Sequence, residues 1–443
     1  MNPCSPVTVA QHLARVRALV APTSPEWLAV HDAPGHSLAQ KVHAEAAIPA
    51  FNNSSMDGFV VHDSDLPGSG PWTLPVVGEV PAGAKPQDFA AGGTLRIMTG
   101  APISGDPSRV RVIPTELTDA QVGPSQVPKT VTIHSIPEKR HIRLRGEVVA
   151  PGGEIMPAST LVDAGCLAFL LNAGISRVPV YRTPRVAVIS SGDELVSAEN
   201  SPATDTAYRI ADSNGPMITR LLEEHGPVHV ERFHVGDGVA ALQDLLDDVT
   251  TRAEQPVDLV VTTGGISQGA FDVVKAAVTQ SPNADLWFGN AAQRPGSPQG
   301  AGHWNRVAMV TLPGNPVAAY VSAMIYVLAC LRILQGRVTS PPELHGHASA
   351  DNDPGSWWPH RVLELPRHPG LARPRKGKTQ LVPVRLEPAP QTGQSPGLQA
   401  APTRVGKLGS HFVSSLLGID ALAVISPEED DADPATVRVL ALR

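Results

Sequence analysis

Hydrophobic positions recur at helical spacing near the start of the chain. In VAQHLARVRALV (Val9 to Val20), Leu13, Val16, Leu19 and Val20 fall on one face, so the segment reads as an amphipathic helix that Pro22 and Pro25 end. A strand-like, turn-rich stretch leads to IPAFNNSSMDGFVV (Ile48 to Val61). From there to about Ile142 the pattern changes to short β-branched runs, VVGEV, LRIM, VRVIP and VTIHSI, punctuated by glycine and proline. That rhythm predicts an all-β region without a helix. A mixed segment follows between about Arg143 and Tyr181, with one short helical stretch at Ala164 to Asn172.

The period changes again at Arg185. VAVISS, VHVERFHV, DLVVTTGG and VAMVTLPG read as strands. Asp212 to Gly226, VAALQDLLDDVTTRA, DVVKAAVTQ and PVAAYVSAMIYVLACLRIL read as helices alternating with them. Strands alternating with helices of this length predict a doubly wound parallel α/β sheet. Within the last helix, the weakly polar run Val317 to Leu331 falls short of the roughly 18 to 20 apolar residues that span a bilayer, so it reads as a helix buried between layers. A Pro/Gly-rich stretch after Gly336 ends this domain. WPHRVLEL, QLVPVRLEP, ALAVISP and TVRVLAL then predict a small β-barrel or sandwich.

Composition narrows the class. A chain of 443 residues exceeds one ordinary domain, and 42% hydrophobic with 17% charged residues suits a globular protein with sizeable cores. The net charge of -7 supplies no basic field for nucleic acid. Cys4, Cys166 and Cys330 are too few and too scattered for a disulfide framework or a zinc spacing. Met1 to Ala10 lacks the basic start and apolar core of a signal peptide, so a cytoplasmic setting is expected.

Three loops follow α/β strands at their C-terminal ends, where open parallel sheets bind ligands. SSGDELV (Ser190 to Val196) projects Asp193 and Glu194. TTGGISQGAFDVVK (Thr262 to Lys275) holds Gly264, Gly265, Ser267 and Gly269, whose backbone N–H groups can approach an anion ahead of the helix that begins near Phe271 and Asp272. LPGNPVAAY (Leu312 to Tyr320) places Asn315 as an N-cap and Pro316 at the first helical position. Any one of them alone is commonly just a tight connection. All three at equivalent ends of one sheet point to a binding site.

These loops resemble those of the molybdopterin molybdenumtransferase family, the MoeA-type proteins that include the E domain of gephyrin. SSGDEL resembles its TGDEL, Asp212 to Asn214 its DSN helix start, GGISQGAFDVVK its glycine loop and LPGNPV its PGNPV. Upstream, SSMDGFVV (Ser54 to Val61), RIMTGAPISGD (Arg96 to Asp106) and RLRGE (Arg143 to Glu147) resemble further family segments in family order, as does the tail GSHFVSSLLGIDALAVI (Gly409 to Ile425).

The resemblance implies a homodimer of four-domain chains. Residues 1–45 and 143–180 would form a linker domain, 46–142 a β-rich insertion domain, 181–336 a molybdopterin-binding-like α/β domain and 337–443 a C-terminal β-barrel. It implies insertion of molybdate into adenylylated molybdopterin with Mg²⁺ and release of AMP. The site would join two subunits, bringing Asp57 and Thr99 to Glu194, Asp237, Asp272 and the PGNP loop, with Glu194, Asp237 and Asp272 as Mg²⁺ ligands. Gly264, Gly265, Ser267, Gly269, Arg294, Ser297, Pro313, Gly314, Asn315 and Pro316 would hold the pterin and molybdate.

Three departures stand out. Val148 replaces an acid in the family's R-G-E-D, Ser297 replaces the second lysine of its K-P-G-K-P, with Arg294 at the first, and Ala270 stands where an acid is frequent. They leave a second reading open, a gephyrin-like dimeric scaffold with weakened or lost catalysis that binds a protein partner.

Overall fold

The structure is a computed structural model. It describes residues 5–121, 126–196, 208–266, 272–337, 362–371, 375–389, 397–403, 411–427 and 436–442. Ser267, Gly269, Ala270 and Phe271 lie outside the described residues, as do the first four residues of the strand expected from Trp358 and the first two of the tail from Gly409. Contacts divide the chain into a larger unit, Met1–Glu26, Gly35–Ala39 and Val180–Arg443, and a smaller one, Trp27–Pro34 and Gln40–Pro179.

Helix α1 (Val9–Arg17) starts with a capping box: Thr8 Oγ accepts from Gln11 N, and the Gln11 side chain accepts from Thr8 N. It ends three residues before the expected Val20, although Leu19 and Val20 still pack on the core. Val9, Leu13 and Val16 pack into the core of the larger unit.

In the smaller unit, β1 (Gly58–His62), β2 (Trp72–Val80), β3 (Thr94–Ile97), β4 (Val110–Pro114) and β5 (Thr130–Ile133) form one sheet in the order β4-β1-β3-β2-β5. Apart from short 3₁₀ turns no helix interrupts it among the described residues, as the β-branched runs predict. Helix α2 (Ala164–Asn172) falls on the expected residues, capped by Asp163, whose carboxylate accepts from Cys166 N.

The larger unit is built from β6 (Arg185–Ser191), α3 (Asn214–Glu223), β7 (His229–Val235), α4 (Val239–Thr251), β8 (Leu259–Thr263), α5 (Val273–Gln280), β9 (Ala284–Asn290), β10 (Gln293–Arg294), β11 (Pro298–Trp304), β12 (Val307–Leu312) and α6 (Pro316–Leu334). Its sheet runs β7-β6-β8-β12-β11-β9. Side chains alternate as the strand period demands. Val186 and Val188 face the layer of α1, α3 and α6, whereas Ala187 and Ile189 face α4 and α5. The sheet is therefore doubly wound. It is not parallel throughout, which corrects the expectation: β7, β6, β8 and β12 are parallel, but β11 and β9 run antiparallel as an added hairpin. The hairpin escapes a pattern reading because its glycines look like loop. They are required by close packing, since a Cβ at Gly302 would sit 2.0 Å from Asp285 O and one at Gly300 would sit 2.3 Å from Thr311 Oγ1.

Helix α6 is the apolar segment noted in the sequence, and 83% of its apolar window is buried within the protein. It contains a π turn at Ala323–Val327. Beyond it, β13 (Val362–Pro366), β14 (Thr379–Pro388), β15 (Leu398–Pro402), β16 (Ala421–Ile425) and β17 (Thr436–Ala441) pair as β14-β16-β17-β13, with β10 at the start and β15 at the end of the other edge of β14. A bridge from Arg367, just past β13, to Ala400 on β15 closes this sheet on itself. Leu381, Leu422 and Leu440 of this layer join the α6 core.

Candidate functional site

The parallel strands end at a cleft of about 1060 Å³, with Glu194, Asp237, Gly264, Gly265, Asp272, Arg294, Ser297, Pro313, Gly314, Asn315 and Pro316 all on its wall. Eleven expected residues from five loops thus meet in one place, because each loop leaves the same edge of one sheet. The loops brace one another. Asp193 does not face a ligand: its carboxylate accepts from Asp237 N at 3.1 Å, and Gly192 N donates to Val235 O at 3.1 Å. That brace leaves the exposed side chains of Glu194 and Asp237 on the rim.

The glycine loop and the PGNP loop touch. Gly264 N donates to Leu312 O at 3.1 Å, and Thr263 Oγ1 donates to Pro313 O at 3.2 Å. A Cβ on Gly314 would lie 3.4 Å from Gly264 Cα, and one on Gly264, at φ +94°, would lie 2.9 Å from Ser191 O. Glycine is the residue that allows this approach. Asn214 ties in the third loop, its amide donating to Thr263 Oγ1 at 3.0 Å and to Gly314 O at 2.7 Å. The N-terminus of α3 beneath it is held by Asp212, whose Oδ1 accepts from the backbones of Asn214 and Gly215. The DSN segment is therefore a strut as well as a helix start.

Ser297 lines the cleft, but its hydroxyl is already engaged, donating to Ala291 O at 2.9 Å. A residue the sequence reading missed stands nearby. β10 pairs in parallel with β14, Gln293 opposite Thr379 and Arg294 opposite Gln380, and Thr379 N donates to Ala292 O at 2.9 Å. This ladder brings the turn Arg375-Lys376-Gly377-Lys378, with Gly377 at φ +68°, beside the Arg294 loop, and Lys378 enters the cleft wall. Its one sequence signal is a run of three cations in four residues ahead of a strand.

The acids of the cleft, Glu194, Asp237 and Asp272, are oxygen donors. Among the described residues no three His, Cys, Asp or Glu side chains are grouped closely enough to hold a metal by themselves. Glu194, Asp237 and Asp272 thus share the cleft without forming a cage of their own.

In the smaller unit three distant motifs converge. Asn53 and Ser54 pair with Arg143 and Ile142, and Ser54 exchanges backbone hydrogen bonds with Ala101 and Gly100. Asp57 Oδ1 accepts from Thr99 N at 2.6 Å and from Thr99 Oγ1 at 2.7 Å. The backbone N–H of Thr99, then its hydroxyl, hold the Asp57 carboxyl below the usual carboxylate range. Val148 is 60% exposed, so its apolar side chain fills no core. Glu147 beside it closes a turn by accepting from Leu144 N.

The chain is similar to known proteins in sequence and fold. Residues 7–174 match the family described as "MoeA N-terminal region (domain I and II)", and residues 187–332 match the "Probable molybdopterin binding domain". Over 352 residues the chain is 33% identical to molybdopterin molybdenumtransferase 2 of Mycobacterium tuberculosis, covering 77% of this chain and 82% of that one. It is 32% identical over 325 residues to the molybdopterin molybdenumtransferase of Haemophilus influenzae, covering 71% and 74%. In fold it is similar to the molybdopterin biosynthesis MoeA protein of Pyrococcus horikosii, with a TM-score of 0.74 and 22% identity over 99% of this chain and 100% of that one. On its motifs, its fold and these relatives, the chain belongs to the molybdopterin molybdenumtransferase family.

Proposed function

We propose that the protein is a molybdopterin molybdenumtransferase: it inserts molybdate into adenylylated molybdopterin, with Mg²⁺, and releases AMP. The observation that carries this reading is the convergence of the glycine loop, the PGNP loop and the Arg294 loop on one cleft that also holds separate acids and Lys378. The substrate is a polyanion. Backbone N–H groups at Gly264 and Gly265, together with Arg294 and Lys378, suit phosphate and molybdate oxygens. Ser267 and Gly269 belong to the same loop in this reading.

Mg²⁺ is a hard cation that takes one or two carboxylates and completes its shell with phosphate oxygens and water. Separate carboxylates on a cleft wall, with no group of three His, Cys, Asp or Glu among the described residues, fit that donor chemistry better than a protein-only cage would. Glu194, Asp237 and Asp272 are the residues that would hold it. When bound, the ion neutralises charge on the phosphoanhydride. The chain's part is to bind the phosphates, orient them and keep like charges apart. The family resemblance further supports a cytoplasmic homodimer in which Asp57 and Thr99 of the partner subunit complete each site. Trp27, Leu144, Val148, Leu161 and Leu171 of the smaller unit are exposed apolar side chains of the kind a subunit interface covers. The same resemblance supports a linker domain of residues 1–45 and 143–180, an insertion domain 46–142, an α/β domain 181–336 and a barrel 337–443.

The scaffold reading is not favoured. The relatives are named as transferases, and the described residues of the loops that would handle phosphate line one cleft.

Complementation of a strain lacking this transferase, read by a molybdoenzyme assay, tests the function directly. Glu194→Ala and Asp272→Ala should each slow Mg²⁺-dependent AMP release by about tenfold, a loss of roughly 1.4 kcal/mol of transition-state stabilisation. The melting temperature should hardly move, since Glu194 is exposed and the Asp272 side chain makes no capping bond. Unfolded variants would reassign both residues to structure. Sedimentation should show a dimer at micromolar concentration, and a monomer there would remove the shared site.

A further inference from the structure

Beneath the Arg294 loop lies a buried polar chain that neither the motifs nor the proposed chemistry uses. Its members are Gln293 and Gln299, each 1% exposed, and Ser322 and Tyr326, both fully buried. The Tyr326 hydroxyl donates to Gln293 Oε1. The Gln293 amide nitrogen donates to Pro295 O at 3.0 Å and to Ser322 Oγ at 3.3 Å. From the other side of the loop, the Gln299 amide donates to Gly296 O at 2.7 Å and to Ser322 Oγ at 2.8 Å. Both glutamines thus converge on one serine of α6, the helix that starts at the PGNP loop. Gly296, at φ +82°, sits so close above that a Cβ there would lie 3.0 Å from Ser322 Oγ and 3.3 Å from Pro313 Cγ.

The chemistry of this arrangement is directional. A loop that faces an anion must not present carbonyl oxygens to it, because their lone pairs would repel the charge. Here the two glutamine amides turn Pro295 O and Gly296 O toward the interior and leave Arg294 exposed on the cleft wall. The direction of the Gln293 amide is itself set by Tyr326. With Oε1 taken up by the phenol proton, the NH₂ group must face the loop. Without that proton the amide can rotate and bring its own oxygen against Pro295 O. An unpaired buried amide is costly enough for such a rearrangement to occur.

We propose that Tyr326, Gln293 and Gln299 are positioning residues that set the anion-facing surface of the Arg294–Ser297 loop, referenced through Ser322 to the PGNP helix. The proposal rests on the reading of the cleft as an anion site. Tyr326, Gln299 and Ser322 lie behind the cleft wall, Gln293 reaches it, and all of them act by placing Arg294.

The test is a double-mutant cycle. Affinity for molybdate and for inorganic pyrophosphate is measured by titration calorimetry on the full chain, for wild type, Tyr326→Phe, Arg294→Ala and the double variant, with a melting curve for each. Tyr326→Phe should weaken binding roughly three- to tenfold, the scale of one hydrogen bond. The double variant should bind no more weakly than Arg294→Ala alone. A purely structural Tyr326 would lower the melting temperature and leave affinity unchanged, which overturns the proposal. So would losses that simply add. Wild-type protein that binds neither anion would instead remove the reading of the cleft, and the positioning role with it. Should Tyr326→Phe not fold, Gln299→Met releases Gly296 O while keeping the Tyr326–Gln293 bond, and carries the same comparison.

Discussion

Lowering the pH from 7 to 4.5 is expected to cost the larger unit about 2 to 3 kcal/mol through one side chain, His12, at 1.36 kcal/mol per pH unit for one proton. The imidazole lies on the buried side of α1 and is fully enclosed. Neither ring nitrogen has a partner among the described residues. One ring edge meets Tyr326 at 4.5 Å and Trp287 lies at 5.2 Å, with the Arg15 guanidinium 4.1 Å above the Trp287 ring. Burial, and then the charge of Arg15, push the His12 pKa from 6.5 down to about 3.

The sign follows from which state takes the proton. Above pH 6.5 both states are neutral and nothing is lost. Between 6.5 and about 3 only the unfolded chain binds a proton, so stability falls as pH falls; below about 3 both bind it and the loss levels off. His12→Leu has nearly the same volume, removes two unpaired nitrogens and cannot titrate. It should be at least as stable as the wild type at pH 7, and the advantage should grow by about 2 to 3 kcal/mol at pH 4.5. Carboxylates contribute to the pH slope of both proteins, so the difference between their urea midpoints is the quantity to read. Parallel pH dependences would show that His12 already finds its proton in the folded state.

Most of this fold is legible because burial imposes a period. The face of α1, the short helix at Ala164–Asn172 and the strands from Arg185 onward all announce themselves in apolar spacing. The β9–β11 hairpin does not, because Pro298, Gly300 and Gly302 carry the marks of a turn while the contacts that demand glycine lie on neighbouring strands. The site is legible where one loop contains its own chemistry. Glu194, Asp272 and the PGNP loop stand on the cleft wall as their motifs imply. It is opaque where function depends on a distant partner. Asp193 looks like a ligand beside Glu194, yet Asp237 N claims its carboxylate. Lys378 lies some eighty residues beyond Arg294 and joins it only through the β10–β14 ladder. Buried glutamines such as Gln293 and Gln299 carry no periodic signal at all.

Lys378 changes what the missing family lysine means. Read from the sequence, Ser297 leaves the anion pocket one positive charge short, and Ser297→Lys should then tighten binding. In the structure a second cation already stands on the wall, and the Ser297 hydroxyl closes its own loop on Ala291 O. Two unit charges 4 Å apart attract by about 4 kcal/mol at an effective dielectric near 20. In an open, wetted cleft roughly 1 to 2 kcal/mol of that should survive, which is about tenfold in affinity per charge. Lys378→Ala should therefore weaken molybdate and pyrophosphate binding about tenfold, and Lys378→Ala with Arg294→Ala about a hundredfold. Ser297→Lys alone should gain little, since Lys378 already supplies a cation at that wall. Placed in the Lys378→Ala background, it should restore most of the loss. All these effects should shrink as ionic strength rises, because the side chains are reached by water. Calorimetry of the four variants at low and high salt separates this account from its rival. If Lys378→Ala binds as the wild type does while Ser297→Lys alone tightens binding, the charge is truly missing and Lys378 does not replace it.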